Sequence, residues 1–249
     1  MSRSASTFLK IARACCCNVS RKLSLLPPWQ RNEIRPRVSF RRISRSLLLP
    51  ALFFSSLAFG KGNDPDEFVD IKSVDKTILI DLRYASSNNV AQRPLYPVGT
   101  PALVRASVAK RLAIAQEYLR KKGYGLKIWD AYRPQAAQEQ LWRTTHNRSF
   151  IADPKEGRGS MHIRGAAVDA TLVDAEGHDV PMPTDFDSFT PAAFLEYNGR
   201  DPIVRANLKL LQKAMAHGGF YGLRTEWWHF CAPDWHLFTP VPDLKVATQ

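Results

Sequence analysis

The stretch "SMHIRGAAVDATLV" (residues 160–173) joins a polar, glycine-rich loop to an unbroken run of small and apolar residues. A short apolar run that is bounded by turn residues is typical of a buried strand. The stretch also carries His162 and, seven residues later, Asp169. It therefore predicts a buried strand that begins beside two groups capable of chemistry.

Strands and helices are predicted on both sides of this stretch, without a regular alternation. The strands, indicated by β-branched and apolar density, are "TILIDL" (77–82), "GLKIWDAY" (125–132) and "TEWWHF" (225–230). The helices, indicated by apolar residues at helical spacing, are 101–122, 134–145 and 201–217. This mixture favours a single α+β domain with a central, mainly antiparallel sheet and flanking helices.

The first 60 residues differ in charge from the rest of the chain. They contain eleven Lys and Arg against one acid, whereas the other 189 residues contain 24 Lys and Arg against 22 acids. The net charge of +12 therefore belongs mostly to this segment. A basic protein often binds nucleic acid, but here the distribution of charge argues against that class.

Residues 38–60 have the layout of an export signal. Basic residues precede a 13-residue apolar run (47–59), which ends in small residues. This pattern predicts a cleavable signal peptide and an exported, periplasmic protein with no stable membrane anchor after cleavage, although an uncleaved anchor is an open alternative. Residues 1–37 are interpreted as a disordered basic extension, or as lying before a true translation start near Val38.

Residues 61–249 are then one folded domain, which is long enough to bury a core. Three of the four cysteines lie before it, so Cys231 has no partner for an internal disulfide, and a C-x-x-C metal site is excluded. Composition leaves the oligomeric state open.

A second histidine segment, "EWWHF" (226–230), places Glu226 three residues before His229. Two imidazoles and one carboxylate are a common ligand set for catalytic zinc, which keeps a fourth position open for water. Zinc lowers the pKa of such a water to about 7. A nearby carboxylate that is not a ligand could take the proton of the water and pass it to a leaving amine.

The motifs around these residues resemble those of the zinc D,D-peptidases. "SMHIRGAAVD" matches S-x-H-x-x-G-x-A-x-D, and "EWWH" matches E-x-W-H. Four longer segments resemble the D-alanyl-D-alanine dipeptidases of the vancomycin-resistance type: "DLRYASSNN" (81–89), "GYGLKIWDAYRP" (123–134), "VPMPTDFD" (180–187) and "GGFYGLRTEWWHF" (218–230). The resemblance covers residues 70–240 and implies the zinc D,D-peptidase (hedgehog-like) fold.

The resemblance also implies an activity and a set of site residues. The activity is hydrolysis of D-alanyl-D-alanine to two D-alanines, with one zinc ion per chain, in the turnover of cell-wall peptides. The implied zinc ligands are His162, Asp169 and His229, with Glu226 as catalytic base and Arg133 at the oxyanion. The implied substrate-binding residues are Ser160, Asp187 and Tyr84, and Trp227 is predicted to face the same pocket. Pro183 stands where the vancomycin-resistance members have glycine, so the loop before Asp187 departs from their pattern.

Two other functions remain open from the sequence alone. A D,D- or L,D-carboxypeptidase acting on peptidoglycan stem peptides would use the same metal chemistry, but with an open groove in place of an acid that binds an ammonium. A metal-stabilised binding module without catalysis is the second alternative. The presence of both Glu226 and Arg133 argues against the module.

Overall fold

The computed structural model describes residues 67–145, 147–156 and 159–244. The predicted extension (1–37), the predicted signal peptide (38–60) and His146 lie outside the described residues. Within the described part of the chain, no helix is both long enough and apolar enough to cross a membrane.

Two sheets form the scaffold of the part of the chain that the structure describes. The strands are β1 (Phe68–Asp70), β2 (Leu79–Ile80), β3 (Leu103–Arg105), β4 (Tyr124–Asp130), β5 (Ala167–Asp174), β6 (Tyr221–Leu223) and β7 (Glu226–Cys231). A small sheet pairs β1 with β3, and a five-stranded sheet has the order β2-β4-β5-β7-β6. Only β2 and β4 run parallel within the larger sheet, so the predicted α+β fold with a mainly antiparallel sheet is confirmed.

Four α-helices accompany the sheets within the described ranges. They are α1 (Ile71–Val74), α2 (Ala106–Arg120), α3 (Gln135–Thr145) and α4 (Pro202–His217). Helices α2 and α4 pack against each other, and they contact β4 and β5 respectively. Helix α4 begins as predicted, because the side chain of Asp201 accepts from the backbone N–H of Ile203 at 2.8 Å. It also ends as predicted, at Gly218.

The predicted start of the helix over 101–122 is wrong. Residues Leu103–Arg105 form β3, which pairs antiparallel with Phe68–Asp70, and the helix begins only at Ala106. The spacing of apolar residues continues from the strand into the helix, so local periodicity alone could not separate the two. Pairing with a segment 35 residues earlier decides the conformation. The predicted strand "TILIDL" is also shorter in the structure, at Leu79–Ile80.

Strand β5 brings the motif-bearing segments together, because it lies between β4 and β7 in the sheet. An irregularity in β4 after Ile128 places Asp130 opposite Asp169, and on the other side His229 is opposite Asp169. Just before β5, Gly165 has φ +66°, and a Cβ there would lie 2.4 Å from a ring carbon of Phe68. This turn therefore requires glycine.

Candidate metal centre and catalytic cavity

Three side chains converge on one point at the edge of β5 and β7. His162 Nε2 lies 3.1 Å from His229 Nδ1, His229 Nδ1 lies 3.0 Å from Asp169 Oδ1, and Asp169 Oδ1 lies 3.4 Å from His162 Nε2. All three residues are buried. Among the described residues, they form the one group of three His, Cys, Asp or Glu side chains that could hold a metal ion.

This donor set fits a divalent cation. His162 comes from a 3-10 turn (His162–Arg164), where its Nδ1 lies 2.8 Å from the carbonyl oxygen of Ala131. A carbonyl can only accept, so Nδ1 carries the hydrogen and Nε2 directs a lone pair at the centre. A tetrahedral zinc with bonds of about 2.0–2.2 Å needs ligand atoms about 3.3 Å apart, close to the separations of the three atoms.

The carboxylate in this set is ionised. Burial raises the pKa of Asp169, but the neighbouring His162 and the hydrogen bonds with His162 and His229 outweigh it, so that the pKa lies well below its usual range. A deprotonated carboxylate is the form that binds a metal.

Glu226 lies beside the centre without joining the ligand set. Its Oε2 is 3.9 Å from His229 Nδ1, and its side chain lines the same cavity. Burial raises the pKa of Glu226 to about 8. A cation in the adjacent centre would lower that value, because it favours the carboxylate form. A carboxyl group with a pKa near neutral can both accept and return a proton at physiological pH.

Arg133 lies between β4 and α3 and is held on three sides. Its Nε and Nη2 donate to Asp130 Oδ2 at 2.9 and 2.7 Å, and its Nη1 donates to Gln138 Oε1 at 2.9 Å. Nη2 also lies 3.5 Å from Asp169 Oδ2. The guanidinium is therefore fixed beside the metal ligands, as preorganised stabilisation of negative charge requires.

A second carboxylate, that of Asp187, also lines the cavity. Asp187 Oδ1 accepts from the hydroxyl of Tyr84 at 3.1 Å, and Oδ2 accepts from the backbone N–H of Val90 at 3.0 Å. Asp187 has a left-handed backbone with φ +57°, which aspartate tolerates better than most residues. Burial raises the pKa of Asp187 to about 7. No Lys or Arg side chain is paired with it in the described part of the chain.

The cavity between these groups has a volume of about 210 Å³. It is smaller than the roughly 300–1,000 Å³ of pockets for drug-sized ligands, so it suits a very small molecule. Ser160 and Tyr84 line it, as does each of the implied metal ligands, together with Glu226, Arg133 and Asp187. The structure thus brings together eight of the nine site residues named from the sequence.

The ninth residue, Trp227, does not line the cavity. Trp227 is fully buried, and its indole Nε1 donates to Thr184 Oγ1 at 3.0 Å, whereas Trp228 lines the cavity. Simple alternation along the strand does not account for this, because Glu226, Trp228 and His229 all line the cavity. The tryptophan that lines the cavity is therefore one residue later in the sequence than predicted.

Three residues outside the set of predicted site residues support the site. Asp130 has no exposed surface, and it accepts from Arg133 and from the hydroxyl of Tyr96 at 2.6 Å. Gln138 connects Arg133 to the cavity loop, because its Nε2 donates to the carbonyl of Ala152 at 2.7 Å. The third is Cys231, whose Sγ lies 3.1 Å from His229 Nε2. The spacing His-x-Cys on a strand places both side chains on one face, and that was the available signal.

The remaining histidines of the described residues are not ligands. His178, His217 and His236 are all exposed, and none belongs to the metal-binding group.

Comparison with known proteins agrees with this geometry. The sequence profile of a peptidase family described as "D-ala-D-ala dipeptidase" matches residues 64–247. A D-alanyl-D-alanine dipeptidase of Escherichia coli is 34% identical over 175 residues, which cover 69% of this chain and 88% of that protein. A D-alanyl-D-alanine dipeptidase of Enterococcus faecium is 28% identical over 172 residues, which cover 62% of this chain and 85% of the relative.

A solved structure is also similar, but more distantly. It is a mutant of the vancomycin resistance D,D-pentapeptidase VanY in complex with Zn(II), and it is 13% identical, with a TM-score of 0.35. The match covers 57% of this chain and 83% of that chain.

Proposed function

The chain belongs to the D-Ala-D-Ala dipeptidase family, and from this premise we propose that it hydrolyses free D-alanyl-D-alanine to two D-alanines with one zinc ion. The observation that carries the proposal is the combination of two features in one small cavity. The cavity is lined by a three-ligand centre with a base and also by the partly buried carboxylate of Asp187.

Zinc is the cofactor that this ligand set fits, and its ligands are His162, Asp169 and His229. When bound, zinc activates a water molecule for attack and polarises the scissile carbonyl. Glu226 is placed to take a proton from the attacking water and to deliver it to the amine that leaves. Its raised pKa suits both halves of this transfer.

Arg133 supplies a fixed positive charge near the carbonyl oxygen of the substrate, where negative charge develops during attack. Its pKa is raised well above its usual value: burial opposes the shift, but the neighbouring Tyr84 and Asp130 outweigh it, so it stays charged. Ser160 and Tyr84 line the space where the substrate main chain lies, and the indole of Trp228 lines the same cavity. Substrate that displaces water from this cavity strengthens each of these electrostatic interactions.

Asp187 accounts for the preference for a dipeptide over a longer chain. A free α-ammonium brought into a buried cavity needs a counter-charge, and Asp187 provides one. A stem peptide has an acylated nitrogen at the corresponding position, so it offers no charge to Asp187 and needs room that the cavity lacks. A carboxypeptidase acting on stem peptides is therefore the less favoured function.

The place of action is proposed from the N-terminal sequence alone. Basic residues followed by a 13-residue apolar run support export of the catalytic domain to the periplasm. There the enzyme meets dipeptides released from the wall, so its role is turnover or salvage. Fractionation tests this: activity in the periplasmic fraction supports export, and activity retained wholly in the cytoplasm refutes it.

A substrate panel tests the activity. The purified, zinc-loaded protein is incubated with D-Ala-D-Ala, with N-acetyl-D-Ala-D-Ala and with a stem pentapeptide, and released D-alanine is measured. Rapid release from the free dipeptide alone supports the proposal. Equal release from the pentapeptide would identify a carboxypeptidase, and zinc binding without hydrolysis of any substrate would identify a binding module.

A further inference from the structure

The two histidine ligands have different partners on their second ring nitrogens. For His162 the partner is a backbone carbonyl, that of Ala131, at 2.8 Å. For His229 the second nitrogen is Nε2, which lies 3.1 Å from the sulfur of Cys231. Both His229 and Cys231 are buried, so bulk water does not replace this contact.

The direction of this hydrogen bond follows from the metal centre. His229 Nδ1 is the atom that converges with Asp169 Oδ1 and His162 Nε2, so its lone pair serves the metal. The hydrogen of a neutral imidazole must then be on Nε2, which donates to the Cys231 sulfur. The thiol in turn donates its own hydrogen to Met161 Sδ at 3.2 Å. Every donor in this series of hydrogen bonds has an acceptor, and none of the three side chains needs to be ionised.

We propose that Cys231 is a positioning residue for the metal centre. By accepting from His229 Nε2, it holds the imidazole in the tautomer and orientation that bring Nδ1 to the metal. The inference rests on the proposed zinc enzyme, but it concerns a residue outside the motifs that define the family resemblance. Partners of this kind contribute to metal affinity, and their loss typically costs about 10- to 100-fold.

Serine and alanine at position 231 form a matched pair, because they differ by one oxygen atom. Cys231→Ser keeps an acceptor for Nε2 and a donor toward Met161, whereas Cys231→Ala removes both at almost the same volume. Zinc affinity is measured for each purified variant by competition with a chromophoric chelator, without substrate. We expect a loss of about 10- to 100-fold for Cys231→Ala and at most a few-fold for Cys231→Ser.

A merely structural role would give a different pattern. It would lower the melting temperature of the metal-free protein in both variants and leave zinc affinity unchanged. The visible spectrum of the cobalt-loaded protein adds a second reading, since an altered His229 orientation changes the ligand field in Cys231→Ala but not in Cys231→Ser. If Cys231→Ala does not fold, Cys231→Val removes the acceptor while filling the space.

Two results would overturn the proposal: wild-type zinc affinity in the variants that lack an acceptor, or an equal loss of affinity in Cys231→Ser and Cys231→Ala. Failure of the wild-type protein to bind zinc would instead overturn the metal centre itself, and the proposed function with it. Because affinity is measured without substrate, the two failures are distinguishable.

Discussion

Asp169 and His229 face each other across the antiparallel pair of β5 and β7, and Asp169 Oδ1 lies 3.0 Å from His229 Nδ1. Strand register alone therefore brings two ligands together, and the 3-10 turn before β5 adds His162. Since the period of a strand is two residues, a slip of one residue would turn one of the two side chains to the opposite face. The metal site and the sheet register are thus coupled.

This coupling predicts that zinc stabilises the folded protein. A ligand that binds only the native state, present at about 1,000 times its dissociation constant, adds about 4 kcal/mol to the free energy of unfolding. We expect chelation to lower the melting temperature of the wild-type protein. Asp169→Ala should abolish the difference between zinc-loaded and chelated samples in differential scanning calorimetry. A zinc-dependent shift that persists in Asp169→Ala would place the ion elsewhere.

Glu226→Gln should separate catalysis from metal binding. The glutamine keeps the shape of the side chain but cannot accept the proton, so kcat should fall by about 10²- to 10⁴-fold. Zinc content should stay at one ion per chain, because Glu226 is outside the ligand set. Elemental analysis and single-turnover kinetics measure the two effects. Near-normal kcat in this variant would remove Glu226 from the mechanism.

Arg133→Lys tests whether geometry matters in addition to charge. Lysine is a point charge without the planar fork that donates to both Asp130 and Gln138. We expect kcat to fall by about 10²- to 10³-fold, as for loss of one donor to an oxyanion. The melting temperature of the variant is the control for folding. A well-folded variant with kcat close to that of the wild type would contradict the assignment.

Asp187 predicts a pH dependence of substrate binding. Burial raises its pKa to about 7, so the carboxyl is neutral below that pH and offers no counter-charge to an ammonium. Affinity for D-Ala-D-Ala should therefore weaken as the pH falls below about 7, approaching about tenfold per pH unit. Calorimetric titration in the inactive Glu226→Gln background measures binding without turnover and without titration of Glu226.

The control for this prediction is Asp187→Asn in the same background. It should bind the dipeptide weakly and without a pH-dependent step near neutrality. A step that survives in Asp187→Asn would assign the titration to another group.

The sequence predicted the chemistry better than it predicted its surroundings. His162, Asp169 and Glu226 stand in short motifs that resemble those of the zinc D,D-peptidases, so their convergence was expected from that resemblance. The expectation that Trp227 lines the cavity, where the structure has Trp228, had a different origin. Two adjacent tryptophans in a strand point in different directions, and the sequence does not show which of them meets the cavity. Local patterns do not contain that information.

The contact of Gln138 with the cavity loop and the pairing of β3 join segments that are distant in sequence, and for this reason they were missed. Gln138 has the pattern of an ordinary helix residue, yet it accepts from Arg133 and donates to a loop carbonyl fourteen residues later. Likewise β3 was included in a predicted helix because its partner, β1, lies far away in sequence. Each of these errors comes from a pairing between distant segments.

The most direct test of the central claim is a crystal structure of the zinc-loaded protein with anomalous diffraction measured at the zinc edge. The account predicts one strong anomalous peak, about 2.0–2.2 Å from His162 Nε2, Asp169 Oδ1 and His229 Nδ1. That peak should have a free coordination position facing Glu226. A peak bound by other side chains, or no peak in a protein that still hydrolyses D-Ala-D-Ala, would contradict it.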